Sequence, residues 1–475
     1  MTENLTSRTK LSSQSHKIVQ EEWAAREERM AGGRSAFNPG AAAISIGAQA
    51  WITLAVTTAI YTLNVADRFI FSTLLQPIKV EFGLSDAGVS SLNLALGLVL
   101  MTFGVPAGIL ADKMSRRILL AAATTIFSVM TALGGATSGM WTFVATRLGV
   151  GFGEAGCAPP SVTLIADRFP PVRRGVAMTI FTLGICAGSF FGTAVAGYFA
   201  DHYGWRATMV IFGVFGLPLG AVTLLLVSEP VRGAADAAAG TGQPGGGLLT
   251  ALSHIYREKA LLFVILGGAL ICTWGWGLLF WTPAFMARNY GLTTGQAGAI
   301  LGQLHLVGGT TATILVAVAM HWLSRSAARV QIWSIAGVAA MGAVASIVAY
   351  TTTSLSVMVL CVWLFAPVLY MYTGPTYTLI NNLSPPHLRA KIFSIFLFAT
   401  SLGYLVLAPY LIGLGSDFFR SSGMDAGASL RRALEIFAPL GLVAAIGYAA
   451  AGLYPGARPK AAAELALPAN SLVEG

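Results

Sequence analysis

Runs of about 20 apolar residues recur along this chain and decide what it can fold into. Each run is long enough to cross, as a helix, a hydrocarbon core about 30 Å thick. Only 10% of the 475 residues are charged, whereas a soluble domain carries roughly 25%. We therefore predict an all-α integral membrane protein with twelve transmembrane helices, at about 49–73, 87–111, 118–137, 139–163, 174–199, 206–228, 259–287, 296–322, 329–351, 354–383, 389–414 and 430–455.

A polar, glycine-rich stretch separates the predicted helices into two sets of six. Gly240, Gly242 and the run Gly245, Gly246 and Gly247 lie in this stretch, and their composition predicts a flexible linker. The predicted domains are an N-terminal segment at 1–48, six-helix bundles at 49–228 and 259–455, a linker at 229–258 and a tail at 456–475.

An internal repeat supports the division into two halves. The segment that begins at Pro160 matches the segment that begins at Pro375, without gaps, at an offset of 375 − 160 = 215 residues. Identical pairs include Arg174 with Arg389. Halves related as parallel repeats are typical of transporters whose site lies between the halves, near the middle of the membrane.

The distribution of basic residues predicts the orientation in the membrane. With both termini inside, the inner loops hold thirteen Lys and Arg residues and the outer loops hold six. Cytoplasmic loops carry such an excess, so we expect a multi-pass protein of the bacterial inner (plasma) membrane with both termini cytoplasmic. This placement accounts for the net charge of +9 without a nucleic-acid partner.

In the first half, four charged residues lie within predicted membrane spans rather than at their first or last residues: Asp67, Arg68, Arg147 and Glu154. An ionisable side chain there costs several kcal/mol unless it is paired or faces water. At about 1.5 Å per residue, Asp67 and Arg147 have similar depths, and Glu154 lies about two turns deeper on the face of Arg147. With Asn64 nearby, the pattern predicts a proton and substrate site. The alternative is a static ion network, although buried ion pairs are weak devices for stability.

A charged loop follows the second predicted helix. Gly108, Asp112, Arg116 and Arg117 would lie at its inner end. Gly108 would permit close helix contact, and Asp112 could accept hydrogen bonds from a helix N-terminus or a basic partner. We predict a conformational latch that holds one access state closed. The alternative is an ordinary basic loop on the cytoplasmic side.

The second half concentrates aromatic residues instead of charges. We expect an apolar cavity wall, suited to a lipid-like tail, built from Trp276, Phe280, Trp281, Tyr370 and Tyr377. Interfacial belts and ordinary helix packing are the alternative explanation for such residues.

Five motifs together resemble the Spinster-like branch of the major facilitator superfamily. They are Asn64-x-x-Asp67-Arg68, the loop from Gly108 to Arg117, the glycine-rich segment from Arg147 to Gly156, the segment from Ala166 to Pro170, and Gly204-Trp205-Arg206. The resemblance implies the major facilitator fold and proton-coupled transport of lysophospholipids or sphingolipid-like amphiphiles by alternating access. It also implies that Asp67 is the proton-carrying acid, Arg68 its partner and Glu154 a second acid of the cavity.

Other functions remain as alternatives. The nearest is a proton-linked multidrug or small organic-anion transporter of the same superfamily. A receptor, a scaffold and a channel are more distant. We do not expect an enzyme, because the sequence has no Ser-His-Asp arrangement and no metal-spaced His/Glu cluster. The expected partners are a small amphiphilic substrate, protons and membrane lipids, with no cofactor, metal or nucleic acid, and we expect a monomer.

Overall fold

The computed structural model describes residues 47–230, 247–323, 328–385 and 387–454, and every regular element within them is a helix. The helices of the first half are α1 (Ala48–Glu81), α2 (Asp86–Lys113), α3 (Arg116–Ala136), α4 (Met140–Ala155), α5 (Ala158–Arg168), α6 (Pro171–Phe190) and α7 (Ala196–Leu226). The second half contains α8 (Leu248–Arg257), α9 (Lys259–Tyr290), α10 (Thr294–Gln303), α11 (Thr310–Leu323), α12 (Ala328–Thr351), α13 (Leu355–Phe365), α14 (Val368–Met371), α15 (Thr373–Leu383), α16 (Arg389–Ser401), α17 (Ala408–Ser421), α18 (Ala426–Phe437) and α19 (Leu440–Ala450).

The helices account for twelve membrane crossings. Within the described residues, nine helical segments are long and apolar enough to span a membrane. One of these, Arg173–Leu226, has 54 residues and breaks at Gly204, where φ is 82° and ψ is 163°, so it makes two crossings. Two further elements contain the buried charges: helix α1, which has 34 residues, and the pair α4–α5. Both are long enough to cross the membrane. The nine segments, the second crossing of the broken helix and these two spans make twelve crossings.

Short π-helical segments interrupt three of the spans, at Phe191–Val195, Leu304–Gly309 and Leu402–Leu407. A π-helical turn displaces one residue from the regular ladder, and such turns are frequent at functional sites. The first lies between α6 and α7, the second between α10 and α11, and the third between α16 and α17.

The repeat detected in the sequence folds into matching helices. Helices α5 and α15 each have eleven residues, and their first residues, Ala158 and Thr373, differ by 373 − 158 = 215. Both follow a break in a spanning helix, at Gly156–Cys157 and at Tyr372. The two halves therefore carry the same bend at the same place in the repeat.

The predicted linker is not irregular throughout. Its last part forms the ten-residue helix α8, which ends one residue before α9 begins. The composition of residues 229–258 drew attention to the glycines, whereas Leu248, Leu252 and Ile255 recur at the spacing of a helix. Most of the predicted N-terminal segment, the glycine run of the linker up to residue 246 and the C-terminal tail lie outside the described residues.

Candidate functional site

Asp67 is buried in an ion pair with Arg147. Arg147 Nη1 lies 3.1 Å from Asp67 Oδ2, and the Thr131 hydroxyl donates to Asp67 Oδ1 at 2.6 Å. The guanidinium of Arg147 also stacks over the Phe71 ring, 4.9 Å from its centre. The pair joins α1 to α4, and Thr131 adds α3, so Asp67 lies inside the first bundle. The contact agrees with the equal depth predicted for Asp67 and Arg147.

Arg68 forms the second pair and faces the other way. Its Nε donates to Glu154 Oε2 at 2.9 Å, its Nη2 to Asn64 Oδ1 at 3.2 Å, and its Nη1 to the Tyr404 hydroxyl at 3.2 Å. Tyr404 belongs to the π-helical segment Leu402–Leu407 of the second half. The Arg68 side chain is 25% exposed, whereas that of Glu154 is fully buried. Arg68 therefore connects the charge network to both halves.

The partner of Asp67 is Arg147, not Arg68 as the family resemblance implied. Neighbouring residues on an α-helix point about 100° apart. Asp67 therefore turns toward α3 and α4 while Arg68 turns toward the second half. The four predicted charges form two ion pairs, Asp67–Arg147 and Arg68–Glu154, and Asn64 bonds the second pair through Arg68.

A cavity of about 700 Å³ lies between the halves. Residues of both halves line it, among them Tyr61, Arg68, Asn93, Met178, Trp276, Phe280, Met320, Tyr370, Tyr377 and Tyr404. Among the lining residues described, Arg68 is the one charged side chain. Asp67, Arg147 and Glu154 do not line this cavity. The cavity therefore presents a single cation on a mostly apolar and aromatic surface.

Four of the five aromatic residues predicted for the cavity wall line the cavity: Trp276, Phe280, Tyr370 and Tyr377. Trp281 does not. It is fully buried within the second half, where its Nε1 donates to Pro409 O at 2.9 Å. Phe280 and Trp281 are consecutive on α9, so when one faces the cavity the other faces the packed core.

Some cavity residues were not predicted from the sequence. Tyr404 and Asn93 line the cavity as well as bonding across it, since Asn93 Nδ2 donates to Leu405 O at 2.7 Å. His305 Nδ1 lies 2.9 Å from the Tyr370 hydroxyl and so fixes this part of the wall. Tyr404 and Asn93 are uncharged and separated from Arg68 in sequence, so neither composition nor spacing distinguished them.

A cluster of charges joins the two halves at one end of the bundle, which we call the outer end because the predicted topology places it outside. Asp86 of α2 accepts hydrogen bonds from Arg288 Nη2 at 2.7 Å, from Ser416 at 2.6 Å and from Lys79. Asp417 accepts from the backbone N–H of Asp86 at 2.9 Å. We call Lys79, Asp86, Arg288, Ser416 and Asp417 the outer cluster.

Each half contributes one basic and one acidic residue to the outer cluster, so each half's part of the cluster is electrically neutral. Lys79 and Asp86 belong to the first half, and Arg288 and Asp417 belong to the second. Separation of the halves would therefore break hydrogen bonds without leaving a net charge on either side. Deeper in the bundle, the Ser72 hydroxyl donates to Phe280 O at 2.6 Å. These bonds close the cavity toward the outer end.

The opposite end of the cavity is lined by residues near the ends of the spans. Met178 lies in the third turn of α6, and Met320 lies near the end of α11. The predicted topology assigns this end to the cytoplasm. The arrangement is the one expected of an inward-facing carrier.

The predicted latch residues have separated roles at the inner end. Arg116 is buried and bonds Asp167 at 2.5 Å and Glu229 at 2.8 Å. The Arg117 backbone N–H also donates to Glu229, at 3.0 Å. Asp112 is exposed, without an ion pair to any residue that the structure describes. These contacts all lie within the first half and so do not close the two halves together.

Gly108 faces open space, since no atom of the described residues outside its own stretch of helix lies within 4 Å of the position that a Cβ would occupy. On the same face of α2, about three turns toward the outer end, Gly97 would place a Cβ 2.8 Å from Val406. The outer part of this face thus contacts the second half, while the inner part does not. No group of three or more possible metal ligands occurs among the described residues.

The protein has twelve crossings and a cavity between two repeated halves. The cavity is closed toward the outer end, and its opposite end is lined by residues near the ends of the spans. These features define a carrier of the alternating-access class. The model of the Major Facilitator Superfamily matches residues 57–409, and the chain belongs to this superfamily. It is therefore a membrane transporter for small molecules, and the fold predicted from the sequence is confirmed.

Relatives of known name differ in the function that their names state. The chain is 29% identical to an MFS-type efflux pump of Mycolicibacterium smegmatis over 84% of this chain and 92% of that protein. It is 26% identical to the sphingosine-1-phosphate transporter SPNS2 of Danio rerio over 76% and 75%. The inward-facing, unoccupied structure of a bacterial homolog to the human lysosomal transporter Spinster aligns with a TM-score of 0.71 at 23% identity, over 87% of this chain and 99% of that one. The structural likeness concerns the fold, and Spinster proteins are among the relatives, as the motifs predicted.

Asp86 is the central acid of the outer cluster, and its contacts predict what its removal would do. Asp86→Asn leaves Lys79 and Arg288 without their carboxylate, and removing one partner of a buried pair costs about 3–5 kcal/mol. Because this cost falls on the closed outer end, the variant should populate outward-open states. Spin labels at Val80→Cys and Phe418→Cys, exposed on opposite halves, should move apart.

The matched control is Glu81→Gln, which breaks the half-exposed pair with Arg206 inside the first half and should leave the label distance unchanged. Size-exclusion profiles of both variants verify folding. An unchanged distance in folded Asp86→Asn would show that the outer cluster does not hold the halves together.

The hydrogen bonds of Glu229 at the inner end predict that the stability of the protein depends on pH. Burial opposes its ionisation, but hydrogen bonds from the Arg117 N–H, Arg116 and Ser115 outweigh it and lower the pKa of Glu229 below its ordinary value. A lowered pKa contributes stability above the ordinary pKa that is lost as pH falls through the folded-state pKa. At pH 7, Glu229→Gln should therefore be less stable by on the order of 1 kcal/mol.

Thermal unfolding at several pH values measures this contribution. The difference between the protein and Glu229→Gln should shrink as pH falls below about 4.3, the usual range of a glutamate. A difference that stays constant through this range would contradict the role assigned to Glu229.

Proposed function

We propose that this protein is a proton-coupled secondary transporter of amphiphiles that carry an anionic head and an apolar tail, such as lysophospholipids or sphingolipid-like molecules. The observation that carries the proposal is the double contact of Arg68, which pairs with buried Glu154 and is also the one charged lining residue described in the cavity. A single side chain thus serves both the acid network and the substrate cavity.

The coupling step follows from competition for Arg68. An anionic head group entering the cavity takes the guanidinium that Glu154 holds at 2.9 Å. Glu154 is then a buried carboxylate without its cation, a state that favours uptake of a proton. Loss of that proton restores the pair with Arg68 and releases the head group. Proton and substrate movements are linked in this way because they share one arginine.

Asp67 and Arg147 form the second coupling pair. Protonation of Asp67 would free Arg147, whose Nε and Nη2 have no hydrogen-bond partner among the described residues. Asp67 does not line the cavity. We therefore propose that Asp67 binds its proton when α1 moves against α3 and α4, and not in direct response to the substrate. Asp67 and Glu154 together are the proton-coupling residues of the proposal.

The cavity wall suits an apolar tail. Trp276, Phe280, Tyr370 and Tyr377 line the cavity from the second half, whereas Arg68 lines it from the first. Burying each CH₂ group of a tail contributes about 0.8 kcal/mol. The head group and the tail would therefore contact different halves, and a bound substrate would connect the two halves.

Tyr404 relates occupancy to movement of the second half. It binds Arg68 through its hydroxyl, and the next residue, Leu405, accepts from Asn93. A head group that takes Arg68 also releases Tyr404. The π-helical segment then loses one of its bonds to the first half, which favours the change between access states.

The loop after α2 would act in the other access state. When the inner ends approach, Gly108 permits close contact and Asp112 becomes available to a basic or helix N-terminal partner of the second half. Arg116 and Arg117 hold the loop in place through Asp167 and Glu229. We further propose a monomer in the bacterial inner membrane with both termini cytoplasmic.

The alternative is a proton-linked carrier of drugs or small organic anions, and the similarity to an MFS-type efflux pump favours it. The same charge network would couple protons to either cargo. The cavity volume alone does not distinguish an amphiphile from a drug, because both combine an apolar body with few polar groups.

Uptake into proteoliposomes tests the proposal. A labelled lysophospholipid or phosphorylated sphingosine-like lipid, each with an anionic head group, should accumulate faster with a pH gradient than without one. Asp67→Asn and Glu154→Gln should each reduce the gradient-driven part to the level of protein-free liposomes, because neither amide carries a proton. Glu81→Gln, an exposed acid outside the network, should retain it.

Two results would contradict the proposal. Full gradient dependence in both network variants would remove the acids from coupling. Lack of lipid flux in folded protein that still moves an organic anion or a drug would favour the alternative cargo.

A further inference from the structure

Helix α8 has three separate faces. At 3.6 residues per turn, Ala251 and Ile255 fall on one face, and both are buried. The next face is apolar but exposed, and it consists of Leu248, Leu249, Leu252 and Tyr256. The third face is polar, and it consists of Thr250, Ser253, His254 and Arg257. A helix with an exposed apolar face beside a polar one is typical of a membrane interface.

The chain itself holds α8 at the membrane surface. Glu258 alone separates α8 from α9, which crosses the membrane. Helix α8 also contacts the first part of α9 and α16, and its buried residues belong to the same packed core as Leu261 and Ile392. Its position is therefore fixed at the inner ends of two spans of the second half.

Exposure to water would be unfavourable for the apolar face. Leu249 is 81% exposed and Tyr256 is 69% exposed, and the free energy of exposing apolar surface to water is unfavourable and grows with the exposed area. Helices of this kind place such a face about 5–10 Å into the boundary between head groups and acyl chains. The lipid of the inner leaflet is the one occupant that the position of α8 guarantees.

The charges near α8 favour acidic lipids. Arg257, Lys259, Arg389 and Lys391 lie at its end or on the helix it contacts, against one acid, Glu258. The Lys259 ammonium lies 3.9 Å from the centre of the Tyr256 ring, a pairing suited to the interface, where the ring is partly in lipid. Each basic residue near the membrane surface adds to the attraction of anionic head groups.

We propose that α8 is a binding surface for anionic phospholipids, with its leucine face inserted in the inner leaflet and its basic residues on the head groups. This surface is separate from the cavity and does not depend on the cargo or on proton coupling. Because α8 packs on α9 and α16, bound lipid would hold the inner ends of the second half at a fixed depth.

A fluorescent label on full-length protein tests the insertion. An environment-sensitive dye on Leu249→Cys should shift its emission to the blue in nanodiscs and be quenched by lipids that carry a spin label. The same dye on Ser253→Cys, on the polar face, should show neither change. The protein without a new cysteine is the blank, since its four cysteines are buried. Equal quenching at both positions, or none at Leu249→Cys, would overturn the proposal.

Lipid composition tests the charge preference. Quenching at Leu249→Cys should increase severalfold when phosphatidylglycerol is added to phosphatidylcholine. Adding Arg257→Gln should reduce this increase, whereas Arg432→Gln, an exposed arginine in α18, should not. Quenching that is independent of phosphatidylglycerol would show insertion without selectivity and would overturn the anionic part of the proposal.

Discussion

The burial of two acids and two arginines in membrane-spanning helices is the constraint on which the rest of the structure depends. No charge of this kind is tolerated alone, so each must meet its partner at the same depth. Asp67–Arg147 and Arg68–Glu154 satisfy this requirement and join α1 to α4. The pairing also turns the Arg68 side chain out of the first bundle and toward the second half. This orientation places its positive charge in the cavity.

The two halves share a repeat but divide the work. The first half holds the acid network, and the second half supplies the aromatic wall. Contacts between them are concentrated toward the outer end, where the outer cluster and the bond from Asn93 to Leu405 close the cavity. The inner part of α2 at Gly108 faces open space. One face of α2 therefore contains both the contact of this state and the surface available to the other.

Depth and periodicity predicted much of the fold and part of the site. The repeat, the twelve crossings and the common depth of Asp67 and Arg147 follow from the spacing along each helix. The direction in which each side chain points around its helix is not predicted as well by sequence spacing. The predictions for Trp281 and for the partner of Asp67 were wrong for this reason. The outer cluster was missed because Asp86 and Ser416 are 330 residues apart, and only the packing of the halves brings them together.

The central claim is that Arg68 is shared between Glu154 and an anionic substrate. Its most direct test is proton uptake by purified protein, in weakly buffered solution with a pH dye, on addition of a lysophospholipid. The account predicts uptake of about one proton per bound ligand, since Glu154 loses its cation, and loss of this uptake in Glu154→Gln. Binding that takes up no proton, or uptake that persists in Glu154→Gln, would contradict it.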